Sequence, residues 1–145
     1  MILGFTGARL GVTQAQRAAL SSVIVPPDLV LHGGAKGADA QFHAVIAEML
    51  GPELPLPIEV YPGESARWTY WNYASDSGRR FRVHPTAPPL DRNRAIVSRC
   101  DHLLACPDGP ERTRSGTWTT VRYARRAGKP VTIIMPDGTV LEEKK

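Results

Sequence analysis

The sequence predicts an α/β domain with a three-layer, Rossmann-like fold and a mostly parallel sheet. Short apolar runs of strand length alternate along the chain with longer stretches whose apolar residues recur at helical spacing. Several of these runs end in a loop that carries glycine or polar residues just before the next helix. Strands joined by a helix are almost always parallel, so these loops should meet at the carboxyl edge of the sheet, where open α/β sheets bind ligands.

The composition indicates a single globular domain spanning residues 1–145. No apolar run approaches the roughly 20 residues that span a bilayer, and the N-terminus lacks the basic flank of a signal peptide, so we expect a cytoplasmic protein without a membrane partner. The two cysteines, Cys100 and Cys106, indicate neither a disulfide framework nor a metal site, and no metal or cofactor is expected. A net charge of +4 favours anionic ligands without requiring a nucleic-acid polymer.

The first strand, at the N-terminus, leads into a loop with two glycines. Thr6 and Gly7 would offer backbone groups at the edge of the sheet, and Arg9 has a guanidinium suited to phosphate. An ordinary solvated arginine is the alternative for Arg9. Thr13 and Gln16 have the spacing of a capping box, which predicts a helix that starts there and runs to about residue 23.

The second strand delivers the loop 32–39, which has three glycines in five positions and precedes another helix. This pattern suits a close approach of the backbone to a ligand, although its spacing is neither that of the dinucleotide motif nor that of the P-loop. Asp39 lies in the first helical turn, where bracing the loop is favoured over bonding a ribose hydroxyl. The candidate ligand-binding residues of this loop are His32, Gly33, Gly34, Gly37 and Asp39.

The segment 62–89 follows a third strand at 58–61 and is predicted to be a long loop or lid insert. Its aromatic residues stand beside arginines, a combination that could stack on a base and hold phosphates. For most of them, packing on the core or on a second subunit is the favoured alternative. The residues concerned are Trp68, Tyr70, Trp71, Tyr73, Arg79, Arg80 and Arg82.

The next helix is predicted to begin with Asp91 as its N-cap, and it places Arg92 and Arg94 in the first turn. Positive charge there opposes the helix dipole, so these arginines need an anionic partner or a solvated position. Local rules are broken most often at functional sites, which makes Arg92 and the adjacent Asn93 candidate ligand-binding residues.

A buried strand at 102–106 precedes the last helix, which starts at Ser115, Gly116 and Thr117. Backbone N–H groups at a helix start favour an anion such as phosphate, whereas the simpler interpretation is that Ser115 or Thr117 merely caps the helix. Gly33, Gly34 and Gly116 are expected either to adopt positive φ or to lie against a ligand. A strand at 131–135 follows, then a short edge strand at 139–141 and a frayed end at 142–145.

Four stretches in this order resemble the SLOG superfamily of Rossmann-like proteins, over most of the chain apart from 62–89. The stretches are Gly4–Arg9, His32–Asp39, Leu90–Arg94, and Gly116–Trp118 together with Ala127–Pro130. The superfamily includes the Lonely Guy phosphoribohydrolases, the molybdenum-cofactor carrier proteins and the DNA-processing protein of natural transformation. The resemblance implies binding of a nucleotide or related phosphoribosyl ligand at the pocket, and a homodimer.

The resemblance leaves the presence of enzymatic activity open. The arginine of the phosphoribohydrolase motif maps to Arg92, but Thr120 stands where that motif has its glutamate. Asp39 or Glu64 could replace the missing acid. We therefore expect a nucleotide sensor or carrier, with hydrolysis of a nucleoside monophosphate at its N-glycosidic bond as the alternative. Binding of single-stranded nucleic acid is a weaker alternative.

Overall fold

The computed structural model describes residues 1–50, 56–64 and 81–144. It is an α/β structure, as predicted, and no helix in the described part of the chain is long and apolar enough to cross a membrane. The described elements, in chain order, are β1 Ile2–Gly7, α1 Gln14–Val23, β2 Leu29–His32, α2 Ala38–Leu50, β3 Ile58–Val60, β4 Arg82–Val83, α3 Pro89–Arg99, β5 His102–Cys106, α4 Gly116–Arg126, β6 Val131–Ile134 and β7 Val140–Glu143.

The strands form one sheet in the order β4-β3-β2-β1-β5-β6-β7. β1 is the central strand: its Gly4 is paired with Leu31 of β2 on one side and with Leu103 of β5 on the other. All neighbouring pairs are parallel except β6 and β7, which are antiparallel. The prediction of a mostly parallel sheet is confirmed.

The helices cover both faces of this sheet and give the predicted three layers. Because side chains alternate along a strand, Leu103 and Leu104 of β5 enter different cores. On one face, Leu104 packs in the same core as Leu20 of α1 and Phe42 of α2. On the other, Leu103 belongs to the core formed with α3 and α4, whose buried residues include Ile96, Val97, Trp118 and Val121.

The capping box predicted at the start of α1 is present. The Gln16 amide N–H donates to the Thr13 hydroxyl oxygen, and the Gln16 side chain accepts from the Thr13 amide. Gln16 is fully buried, and its Nε2 also donates to the carbonyls of Pro107 and Ile134, each at 2.8 Å. One side chain thus caps α1 and fastens it to the carboxyl ends of β5 and β6.

The start of α3 differs from the prediction. Pro88 occupies the N-cap position and Pro89 is the first helical residue, so Asp91 is the third helical residue and not the cap. Proline suits the first position because its missing N–H would be unpaired there in any case and its φ is already helical. Arg92 is consequently the fourth residue of the helix, one position deeper than Asp91.

The C-terminal strand is longer than predicted. β7 runs from Val140 to Glu143, so Glu142 and Glu143 are paired with β6 and are not frayed. The Glu143 carboxylate also accepts hydrogen bonds from Nε and Nη2 of Arg125 on α4, both at 2.8 Å. This long-range ion pair holds the strand end that local sequence predicted to be loose.

The predicted insert, residues 62–89, is described at its two ends only. Arg82 and Val83 form β4, which pairs with β3, whereas a loop was predicted there. The other aromatic and arginine residues predicted to matter in the segment, from Trp68 to Arg80, lie outside the described residues. The prediction of a lid therefore stays a prediction.

Both cysteines, Cys100 and Cys106, are buried and form no disulfide.

Candidate functional site

A cleft of about 360 Å³ opens at the carboxyl edge of the sheet, between the ends of β1 and β5. β1 leads to α1 on one face and β5 leads to α4 on the opposite face, so the two connecting loops diverge. Such a switch point is where open α/β sheets bind ligands. Ten of the residues predicted to bind a ligand line this cleft: Thr6, Gly7, Arg9, Gly33, Asp39, Arg92, Asn93, Ser115, Gly116 and Thr117.

Gly37, also predicted as a ligand residue, does not line the cleft and instead lets two loops meet. Its φ is +88°, and a Cβ there would lie 2.1 Å from the carbonyl oxygen of Arg9. The next residue, Ala38, donates its N–H to the Ala8 carbonyl at 3.1 Å. Gly37 is thus needed to bring the loop after β2 against the loop after β1.

His32 is fully buried behind the cleft and supports the shape of the second loop. Its Nδ1 accepts the N–H of Gly34 at 3.0 Å, and its Nε2 lies 2.9 Å from Nδ1 of His43. Burial, together with the nearby His43 and Arg92, holds the pKa of His32 well below its ordinary value, so the ring is neutral. Since Nδ1 accepts, the proton is on Nε2. Gly34, with φ of +66°, also lies outside the cleft lining.

Arg92 of α3 brings a partly buried guanidinium into the cleft. Its Nη1 donates to the carbonyls of Gly33 at 2.7 Å and Tyr61 at 3.3 Å. Its Nε is buried without a hydrogen-bond partner, and Arg92 makes no ion pair with any described residue. Burial lowers the pKa of Arg92, but a guanidinium stays charged in proteins. The nearby Asp39 carboxyl interacts electrostatically with this cation but forms no ion pair with it.

Asp39 provides a buried carboxyl group in the same cleft. One of its oxygens accepts the N–H of Ala35 at 3.1 Å, which confirms the prediction that Asp39 braces the loop. Burial raises the pKa of Asp39 to about 6, while the nearby Arg92 and the amides of Ala35 and Gly33 oppose this rise. The side chain can therefore gain or lose a proton just below neutral pH.

The start of α4 forms the opposite wall. Ser115 is the N-cap and its hydroxyl accepts the N–H of Trp118 at 3.3 Å, so the capping role predicted for Ser115 is confirmed. Gly116 is exposed, does not have positive φ, and a Cβ on it would meet no atom within 4 Å. The first helical amides and the positive end of the helix dipole lie at this wall.

Sequence reasoning missed three charged residues in the loop after β5. Arg112 donates to Asp108 at 2.8 Å, and both residues line the cleft beside Arg114. Arg114 is exposed and has φ of +59°, a left-handed conformation that is uncommon for arginine. The sequence did contain a signal for them, because Arg112 and Arg114 stand just before the predicted start of the helix at Ser115. Counting these residues, four arginines and two carboxylates line the cleft.

The acid of the phosphoribohydrolase motif has no counterpart at its expected position. Thr120 is buried and donates its hydroxyl to the Gly116 carbonyl within α4 at 2.8 Å, and it does not line the cleft. Glu64 is exposed and also lies outside the cleft lining. Asp39 is thus the only one of the two predicted replacements in the described structure that reaches the cleft.

The described residues contain no group of three or more His, Cys, Asp or Glu side chains placed to hold a metal ion. Neither a protein-family model nor a curated protein sequence matches this chain.

Proposed function

We propose that this protein binds a nucleotide or a nucleotide-derived phosphoribosyl ligand in the cleft, as a sensor or carrier. The observation that carries the proposal is the partly buried Arg92 guanidinium, which forms no ion pair among the described residues and shares a cleft with the N-terminus of α4. A phosphate would give Arg92 a direct ionic partner, which the nearby Asp39 carboxyl does not provide, and it would accept hydrogen bonds from both elements. Arginine is well suited to this role because its planar fork matches phosphate oxygens.

The remaining lining supports a ligand with both polar and apolar parts. The cleft volume lies in the range of small-molecule sites, about 300–1,000 Å³. Leu10, Pro89 and Leu90 add apolar surface beside the charged groups, as a nucleobase requires, and Asp39 offers an acceptor for a ribose hydroxyl. The four stretches that resemble the SLOG superfamily each contribute residues to this one cleft, which also supports the proposal.

The test is calorimetry with a panel of the four common ribonucleoside monophosphates, after mass spectrometry of small molecules that co-purify with the protein. Arg92→Ala should weaken binding by about 1.5–3 kcal/mol, the contribution of a hydrogen bond to a charged group. Arg17→Ala is the matched control, because Arg17 is exposed on α1 and forms only a 3.8 Å contact with Glu48. Equal affinity of wild type and Arg92→Ala would show that the phosphate is not held by Arg92.

Hydrolysis of the N-glycosidic bond is the second candidate, and the carboxyl of Asp39 favours it. A group with a pKa of about 6 can donate a proton to a leaving base or accept one from water near neutral pH. In this reaction water adds its hydroxyl to C1′ of the ribose and the base leaves with a proton. Chromatography of free base released from the same monophosphates is the assay, and multiple turnovers per minute that are lost in Asp39→Asn would establish the enzyme.

We expect any such release to be slow. Thr120 cannot hold the negative charge that stabilises an oxocarbenium-like centre, and its hydroxyl is already bonded to Gly116. The SLOG resemblance also leads us to propose that the protein is a homodimer. Multi-angle light scattering coupled to size-exclusion chromatography tests this, and the measured mass should be twice that of one chain.

A further inference from the structure

A second concave surface lies away from the cleft, between α3 and α4, with a volume of about 530 Å³. We call it the α3–α4 groove; it is lined by Arg94, Val97 and Ser98 of α3, by Tyr123 and Arg126 of α4, and by Ala127 and Lys129 just after α4. Three of these seven residues are cationic and none is acidic. None of these residues belongs to the cleft proposed to bind the nucleotide.

The two arginines of the groove are held in place but not neutralised. The Arg94 guanidinium lies 5.0 Å from the centre of the Tyr123 ring, and that of Arg126 lies 5.1 Å from the same centre. Neither arginine has a hydrogen bond or an ion pair with any residue in the described part of the chain. By contrast, Arg122 and Arg125 on the same helix both bind Glu111. The Tyr123 ring thus orders two guanidinium groups while leaving their N–H donors available.

Lys129 adds a third positive charge to the lining of the groove. Its Nζ donates to the carbonyls of Cys100 at 2.8 Å and Ser98 at 3.3 Å, near the end of α3. These bonds fix the ammonium group at the end of α3 and leave one of its three donors unused.

The groove and the cleft are formed by different turns of the same two helices. Both helices start at the cleft, with Leu90 of α3 and Thr117 of α4 in its lining, and their later turns form the groove. From Leu90 to Ser98 the helix rises about 12 Å at 1.5 Å per residue. A polynucleotide with one nucleotide in the cleft could therefore reach the groove, where its phosphates would meet three cationic side chains.

We propose that the α3–α4 groove binds the phosphate backbone of single-stranded nucleic acid. Guanidinium groups with free donors bind phosphate oxygens in a bidentate manner, and such contacts tolerate any base sequence. A second copy of this chain is a poor occupant, because a symmetric contact through this face would place Arg94 and Arg126 against the same cations of the partner. The proposal does not depend on the mononucleotide site, since the groove and the cleft share no lining residue.

The test is fluorescence anisotropy with labelled oligothymidylates of increasing length, over a series of salt concentrations. Wild type should bind more tightly as length increases, and its affinity should fall as salt rises. The variant Arg94→Ala/Arg126→Ala removes two phosphate contacts, so the slope of log K against log salt should become shallower by about 1.4, at about 0.7 per contact. Circular dichroism should show a folded protein, because both side chains are exposed.

The variant Arg17→Ala/Lys144→Ala is the matched control, because it removes the same charge from exposed positions outside the groove. This control should keep the wild-type slope. Failure of wild type to bind the oligonucleotides, or an equal loss in both double variants, would overturn the proposal. Tighter binding of poly-glutamate than of an oligothymidylate of equal charge would also overturn it, in favour of an acidic protein partner. The variant Arg92→Ala distinguishes the two sites. It should bind mononucleotides about 10–150-fold more weakly, while the contribution of Arg94 and Arg126 to the salt slope stays unchanged.

Discussion

Replacing Gly33 with alanine should displace the Arg92 guanidinium without unfolding the protein. A Cβ at Gly33 would lie 2.3 Å from Nη1 and 2.8 Å from Cζ of Arg92, closer than these atoms can approach. The Gly33 backbone does not adopt positive φ, so alanine fits the local conformation. The Arg92 guanidinium is the end of a long side chain, and its movement is cheap. Oδ2 of the buried Asp39 would lie 2.9 Å from the same Cβ, so this carboxyl also has to shift slightly. The bond from Nη1 to the Gly33 carbonyl, 2.7 Å long, would be lost or distorted.

The two expected magnitudes differ, which makes the experiment informative. Because the guanidinium can find water after it moves, we expect a stability loss of no more than about 1.5 kcal/mol, or roughly 5 °C in Tm for a domain of this size. Nucleotide binding should weaken by about 1.5–3 kcal/mol, which corresponds to a factor of about 10–150 in Kd. Thermal unfolding followed by circular dichroism measures the first quantity, and calorimetry with the ribonucleoside monophosphates measures the second.

Gly63→Ala is the control for Gly33→Ala. A Cβ at Gly63 would meet the same guanidinium, but at 3.8 Å, an ordinary van der Waals distance. This variant should keep both the stability and the affinity of wild type. The reasoning would be refuted if Gly33→Ala bound nucleotide as tightly as wild type, or if Gly63→Ala lost as much affinity.

Three further predictions follow from the loops of the cleft. Gly37→Ala should cost more stability than Gly33→Ala, because its φ is +88° and its Cβ would strike the backbone oxygen of Arg9; a Tm equal to that of Gly33→Ala would contradict this. Gly116→Val should retain the wild-type Tm, since its side chain meets open space, yet lose nucleotide binding in calorimetry if phosphate lies there. Burial raises the pKa of Asp39 from 3.8 to about 6, so ionisation of Asp39 destabilises the folded state as pH rises through this window. Urea unfolding of Asp39→Asn and wild type should show the variant gaining stability over wild type between pH 4 and 7, by roughly 1.4 kcal/mol per unit of pKa shift, and a constant difference would count against a buried Asp39 carboxylate.

The layers and most of the site were predictable because they depend on local patterns. Continuous apolar runs such as that of β5 require burial on both faces, and the capping box of Thr13 and Gln16 is a local signal that the structure realises. Glycine loops after strands converge at one edge of any parallel sheet, so Gly33 and Gly116 could be assigned to one site from their positions along the chain.

The parts that could not be predicted depend on distant partners. The Glu143 carboxylate is held by Arg125, and the His32 ring is held by His43 of α2. The residues next to Glu143 and His32 in the sequence reveal neither contact. Arg114 was missed because its left-handed conformation arises in a loop without a regular pattern. The sequence offers two possible starts for α3: Asp91 could cap a helix, and Pro89 favours the first helical position. The structure begins the helix at Pro89.

The central position of β1 has a consequence for the order in which the chain assembles during synthesis. Its Leu3 is paired with His102 of β5, so more than two thirds of the chain must be made before both sides of β1 are occupied. Contacts of such long sequence separation slow folding. Until β5 is added, β1 is an edge strand with open hydrogen-bonding groups beside the apolar Leu3 and Phe5, a combination that favours aggregation. N-terminal fragments that end before His102 should therefore precipitate when expressed, and they lack the wall of the cleft that β5 and α4 provide.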